Sequence, residues 1–461
     1  MSEINVLPVA EAEPQPSIEE LFSQLTGMEP KPIANFVPTN AAEQKKLFLS
    51  GEVRNPDHHY SKLAAIDFES NRQKITSIGE KLSMHPDTEQ KYIDVYSQFI
   101  QNYLNKTNFM ELASKVKSAG TDDEIKAAKS EFMKLNLELY GKPDQATYQS
   151  LIGEKIDLIK SKNLTEVALK IRDELIELVG DRDSRVEERF KPSQETIDWV
   201  HDIADSENSL YGSMLEHVPD QASFNDEEIK SIFEEIIVKE FELQLAKSED
   251  NNSILWQVVI EDAQSINVKA AEKKIIVPKD KELSLKEMRG RVVHEIGVHF
   301  LRSVMGEQAN LEPLKLGLSE YYDTEEGLGA LMEQAIVSKY REAGADHYIT
   351  AGLAYYDDKD FRDIFEIKWR LHVLGTSKGD ITEENITKSK GIAYGSTMRI
   401  MRGTDALPWF KDLSYYNGVA EVWKYLEEIK GDDTEFMLVL LGKANSANKD
   451  HRRILLETAT V

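Results

Sequence analysis

The 461-residue chain has no cysteine. That excludes disulfides, iron–sulfur clusters and thiolate zinc sites, so any metal has to be held by His, Asp or Glu. No stretch approaches the ~18 uncharged apolar residues that a membrane helix needs. Met1 to Glu20 contains acids and prolines but no basic residue, so a secretory signal is not expected. Basic residues are outnumbered, 56 against 82 acidic, leaving a formal charge of −26. Such a charge argues against a nucleic-acid or anionic-membrane partner. The expectation is a soluble, cytoplasmic protein, with nothing in the sequence to fix its oligomeric state.

Proline is sparse after residue 60, because seven of the 14 lie between Pro8 and Pro56. Residues 1–30 read as a disordered acidic, proline-rich tail and residues 31–60 as an irregular arm. The arm contains adjacent histidines, His58 and His59, which point in different directions on any regular element and are poorly placed to share a metal. Residues 61–250 read as helical, with apolar positions three and four apart. Ile93, Tyr96, Phe99, Ile100 and Tyr103 form one such stripe. Leu164, Ile171, Leu175 and Leu178 form another, with Gly180 as its C-cap candidate. This half carries no clustered histidine and no nucleophile motif, and reads as a scaffold.

The texture changes near Asn251. Ile254–Ile260, Ile266–Val268 and Ile275–Val277 are short β-branched runs that predict strands, and Pro278 ends the last. Ser284 and Glu287 then have the spacing of a capping box, opening a helix expected to reach about Gly306. The predicted fold is α+β and mostly helical. A zincin-like catalytic half, residues 251–461, combines a short mixed sheet with an active-site helix.

That helix carries His294-Glu295-Ile296-Gly297-Val298-His299. The familiar zinc pattern H-E-x-x-H puts two histidines four apart on one face. Here the spacing is five, which leaves them ~140° apart on an α-helix. A π-bulge absorbs one residue and returns both imidazoles to one face, so a π-type turn is predicted around Glu295–His299. Gly297 is where the distortion costs least. The third ligand is sought in Thr324-Glu325-Glu326-Gly327-Leu328, with Thr324 as candidate N-cap of a second helix. Adjacent helical positions differ by ~100°, so only one glutamate faces the metal. Glu326 is favoured because Gly327 beside it lets two helices approach, and Glu325 is the fallback. Two imidazoles and one carboxylate leave a zinc position open for water, with Glu295 placed as general base. The implied reaction is metal-assisted amide hydrolysis.

The segments H-E-I-G-V-H-F-L-R (His294–Arg302) and T-E-E-G-L (Thr324–Leu328) resemble the microtubule-associated tyrosine carboxypeptidase family and its bacterial QEGLA-motif relatives. The likeness continues in T-M-R-I-M-R-G (Thr397–Gly403) and, more weakly, in K-D-L-S-Y-Y-N-G (Lys411–Gly418). It implies a zinc carboxypeptidase with His294, His299 and a glutamate of T-E-E-G-L as ligands, Glu295 as catalytic residue, and a peptide or protein C-terminus as substrate. The family's best-described activity is removal of a C-terminal tyrosine from tubulin. The second glutamate is the one shared with Q-E-G-L-A, which again favours Glu326.

A carboxypeptidase has to bind a terminal carboxylate, and arginine's planar fork suits it. Arg399 and Arg402 are candidates, in a stretch from Lys388 to Arg402 without an acidic residue. Arg302 is a third; the plain alternative is that these are structural or surface arginines. Tyr415 or Tyr416 is a candidate oxyanion donor, although buried structural tyrosines are commoner. Two rival readings share these motifs: a metal-dependent amidase acting on a non-protein substrate, and a zinc-binding regulator without turnover.

Overall fold

A computed structural model describes the chain except residues 1–15, 29, 181, 183–188, 207–208, 247–254, 264, 310, 378–379 and 459–461. The chain is 67% helical with a small mixed sheet, which makes it the α+β, mostly helical fold expected. Among the described residues no helix is long and apolar enough to cross a membrane.

Two two-residue strands, β1 (Ser223–Phe224) and β5 (Leu283–Ser284), pair antiparallel. Between them β2 (Gln257–Glu261), β3 (Asn267–Lys269) and β4 (Lys274–Pro278) form a sheet in the order β2-β4-β3. β2 and β4 run parallel with Val258 opposite Ile275, and β3 runs antiparallel to β4. These are the three β-branched runs of the sequence; the front of the first, 251–254, lies outside the described residues. Ser284 caps the next helix through both bonds of the capping box. Three segments follow without a break: Leu285–Arg291, the π-helical Val292–Phe300 (the histidine segment) and Leu301–Gln308. Tyr321–Ala335 (the glutamate helix) and Ser414–Glu428 (the cover helix) complete the layer around the histidine segment.

Residue 250 is not a boundary in the packing. One core joins Ile197, Tyr211, Phe233 and Ile236 to Val277, Val293, Ile296, Leu328 and Trp423. A second joins Tyr148, Ile152 and Leu175 to Ile349, Phe365 and Tyr394. Helices assigned to the scaffold therefore supply about a third of each core, since an amphipathic stripe predicts a buried face but not its partner.

The N-terminal region also differs from the expectation. Residues 1–15 lie outside the described set, but Ile18–Gly27 is a helix with a complete Ser17/Glu20 capping box. Its Leu21, Phe22 and Leu25 are buried, with Phe22 5.0 Å from the Phe99 ring. Three large apolar side chains on one face outweigh the acidic, proline-rich composition around them. The arm is partly helical, at Pro32–Asn35 and Ala41–Ser50, and buries Phe36, Phe48 and His58 completely. Thr324 is not an N-cap: the helix begins at Tyr321, and the Thr324 side chain instead faces the Ser446 hydroxyl at 3.2 Å.

The glutamate and cover helices touch backbone to backbone. A Cβ at Gly327 would lie 2.4 Å from the Gly418 carbonyl carbon. Gly327→Ala is expected to destabilise the fold by about 1–3 kcal/mol through overpacking. A urea midpoint lower than wild type at unchanged slope would show it; an unchanged midpoint would mean the helices sit further apart.

Candidate metal and catalytic site

Over Val292–Phe300 the backbone bonds in the π pattern, so the five-residue spacing brings both imidazoles to one side. The rings of His294 and His299 lie 4.8 Å apart. Gly297 has a further role beyond easy distortion. A Cβ there would lie 2.4 Å from the Tyr211 ring, whose hydroxyl donates to the Gly297 carbonyl at 2.9 Å. A π turn disturbs the regular hydrogen-bond ladder, and Tyr211 satisfies one carbonyl from outside it.

The glutamate helix presents one face to these rings. Tyr322, Glu326, Gly329 and Glu333 recur at three- and four-residue intervals, which puts them along a single stripe, with Glu325 beside it. Among the described residues, His294, His299 and Glu326 bring one ligating atom each to within 4.8 Å of one another. Glu325 faces away from that group. It accepts from His299 Nδ1 at 2.9 Å and also bonds Arg302. Glu333 plays the same part for His294, with 2.8 Å between its Oε1 and Nδ1. Both Nδ1 atoms are thus engaged by carboxylates, leaving the two Nε2 atoms to face the cluster, the arrangement that orients metal-binding histidines. Gly329 clears space there, because a Cβ would come within 2.7 Å of His294 Nε2. Glu295 is buried on the same segment, 3.4 Å from Arg291 Nη1.

The electrostatics follow from these pairs. Burial works to raise the Glu325 carboxyl, but Lys443, Arg302 and the His299 bond hold it well below the usual carboxylate range. Burial opposes ionisation of Glu326 too, and His299, Lys411, His294 and a hydrogen bond from Tyr322 override it. Burial would depress His294, yet the Glu333 bond and the nearby carboxylates raise it. The cluster is an environment organised for positive charge.

The three candidate arginines part company. Arg302 is fully buried and bonded on all three nitrogens, to the carbonyls of Val439, Gly442 and Ala444 and to Glu325. It braces His299 from behind, through Glu325, and is turned inward against the carbonyls of residues 439–444. Arg399 is partly exposed, but its fork already grips Asp412, at 2.5 and 3.1 Å. Arg402 stacks over Trp409 at 4.8 Å, and its buried Nε has no hydrogen-bond partner among the described residues. Tyr415 lies under the Arg399 guanidinium at 5.2 Å and interacts with Glu326. Its neighbour Tyr416 turns the other way, toward Glu342.

Sequence reasoning missed Tyr322, Gly329, Glu333, Lys411, Asp412 and His347. The first three were visible as the stripe that continues from Glu326. Lys411 is buried, 4.2 Å above the Tyr322 ring, and burial depresses its ammonium despite Asp412 and Glu326. His347 is pushed down to about 4 by burial and Arg399, with its ring 5.9 Å from Tyr415.

A family model for microtubule-associated tyrosine carboxypeptidase matches residues 203–458. That is more than half of the chain, and the chain belongs to this family. The family is one of carboxypeptidases, enzymes that hydrolyse peptide bonds. The match begins upstream of residue 250, in agreement with the shared core around Tyr211 and Phe233. No curated protein and no solved structure gives a match.

Glu325→Ala leaves Arg302 buried without its carboxylate and is expected to cost about 3–5 kcal/mol. The Glu325 carboxyl is lowered on folding, so its contribution is complete above the ordinary value of 4.5 and is lost as pH falls below it. Denaturation curves should therefore show a wide gap between wild type and variant at neutral pH that narrows in acid. A gap independent of pH would contradict the ion-pair assignment.

Proposed function

We propose that the protein is a zinc-dependent carboxypeptidase that releases the last residue of a peptide or protein chain. The observation that carries this reading is the convergence of His294, His299 and Glu326 beside a buried Glu295, in a member of a carboxypeptidase family. The donor set fits zinc: two nitrogens and one carboxylate, without cysteine, are a catalytic set with a position left open. The carboxylate partners on both Nδ1 atoms and the clearance at Gly329 support the same assignment. When bound, zinc supplies Lewis acidity toward a water and the scissile carbonyl.

The protein's own groups do the rest. Glu295 accepts a proton from the attacking water as its oxygen adds to the carbonyl carbon. It then delivers that proton to the leaving amine as the C–N bond breaks, giving a shortened carboxylate and a free amino acid. Arg291, four residues earlier, steadies the Glu295 carboxylate before the first transfer and after the second. Arg402 and Lys411 receive the substrate's terminal carboxylate. The reading is supported by the unpartnered Arg402 Nε and by two cations held in a buried wall, where an incoming anion relieves their desolvation. Arg399 is committed to Asp412 and shapes this wall. Tyr415, between Arg399 and Glu326, is the donor for the carbonyl oxygen as charge develops. The family name makes a peptide ending in tyrosine the first substrate to test, and the acidic, cysteine-free composition suits a cytoplasmic setting.

Protein purified without chelator is expected to carry one zinc and to release tyrosine from such a peptide. Glu295→Gln should lower kcat by about 10²–10⁴-fold while retaining metal. Full activity in that variant, or a metal-free protein with full activity, would remove the proposal. A C-terminally amidated peptide should be a poor substrate for wild type, and Arg402→Met should erase most of the discrimination. Equal rates on acid and amide would disprove carboxylate recognition.

A further inference from the structure

The arm that precedes residue 60 lies outside the matched residues 203–458, yet it ends against the basic wall. His58 is completely buried. Asp405 is the anchor: one carboxylate accepts from the His58 backbone N at 2.8 Å, His58 Nδ1 at 2.9 Å, Tyr60 Oη at 2.6 Å and Lys117 Nζ at 2.9 Å. Those four donors fill its acceptor capacity. With the proton on Nδ1, His58 Nε2 accepts from Tyr394 Oη at 3.1 Å. Tyr394 is on the same helix as Arg399, Glu383–Met401.

Asp405 sits in the turn that carries Arg402. The turn closes through Asp405 N to Met401 O at 2.8 Å and Trp409 N to Ile400 O at 2.7 Å. Phe36, also from the arm, lies against Gly403 and meets the Trp409 ring at 5.2 Å. Trp409 is the ring on which Arg402 stacks. The Asp405 backbone has φ +61°, a left-handed conformation that a non-glycine residue holds only when its surroundings enforce it. The donors to its carboxylate all come from the arm or from Lys117. None of these groups reaches His294, His299 or Glu295, and no step of the proposed reaction needs them.

We propose that His58, with Tyr60 and Phe36, is a positioning element that clamps the Arg402–Trp409 turn and so sets the guanidinium that receives the substrate carboxylate. The proposal rests on the Arg402 assignment above. It makes the arm a determinant of substrate affinity rather than of the chemical step.

Three full-length variants test it: His58→Ala, which removes the ring; His58→Asn, which keeps a donor near the Nδ1 position; and Tyr60→Phe, which removes one of the four bonds. For a tyrosine-ended peptide, His58→Ala should raise KM roughly tenfold or more with kcat within about twofold, since misplacing a binding group by an ångström costs that order. His58→Asn should restore most of the KM. By hydrogen exchange, amides of residues 402–409 should lose protection in His58→Ala while those of the π segment, Val292–Phe300, keep theirs. Unchanged exchange in the turn overturns the clamp. Faster exchange with unchanged KM, or kcat falling in step with KM, overturns its link to the substrate. If wild type releases no residue, the carboxypeptidase reading fails by itself and the exchange comparison still decides the clamp. If His58→Ala loses protection throughout, Tyr60→Phe is read in the same way.

Discussion

His299 follows His294 at a spacing of five, and an ordinary helix would turn the two side chains ~140° apart. The site depends on how the backbone resolves that mismatch. Winding to the π pattern from Val292 to Phe300 brings the rings together but disturbs the regular ladder. The surroundings absorb the disturbance. Tyr211 donates to one carbonyl, Tyr211 and Gly297 fit face to face, and the segment is buried almost throughout. The helices that do this lie between Ile197 and Ile237 in the sequence, so the catalytic layer is inseparable from them.

Local rules made some of this readable in advance. The spacing of two histidines constrains the backbone between them, and Ser284 and Glu287 announce a helix start within four residues. Glu326 was readable because Gly327 marks a close helix approach. Other features depend on distant partners. Glu333 looks like any surface acid until the ring of His294 is set beside it. Arg302 reads as a substrate-facing cation three residues after His299, and only the carbonyls of 439–444 make it internal. Thr324 has the residue type of a cap, but Ser446 claims its hydroxyl. The Ile18–Gly27 helix was obscured by composition, which averages over a face that three residues define.

The charge of −26 belongs to the chain as a whole, while basic side chains collect around the glutamate helix. Arg399, Arg402 and Lys411 gather on one side of the glutamate helix, with only Asp412 fully committed among them. On the other side, Arg302 and Lys443 converge on Glu325. The helix thus separates two basic groups with opposite fates. One is neutralised inside the protein and braces a histidine, while the other includes Arg402, whose buried Nε has no hydrogen-bond partner among the described residues.

The buried contacts of Arg302 also impose an order on the making of the protein. His299 is steadied by Glu325, Glu325 by Arg302 and Lys443, and Arg302 by carbonyls as late as Ala444. Chains emerge from the ribosome N-terminus first, at about 5–20 residues per second. The histidine segment therefore waits through the synthesis of more than a hundred further residues before its brace exists. Until then Arg302 lacks the three carbonyls that accept from it in the finished fold, and only Glu325 is in place to pair with it.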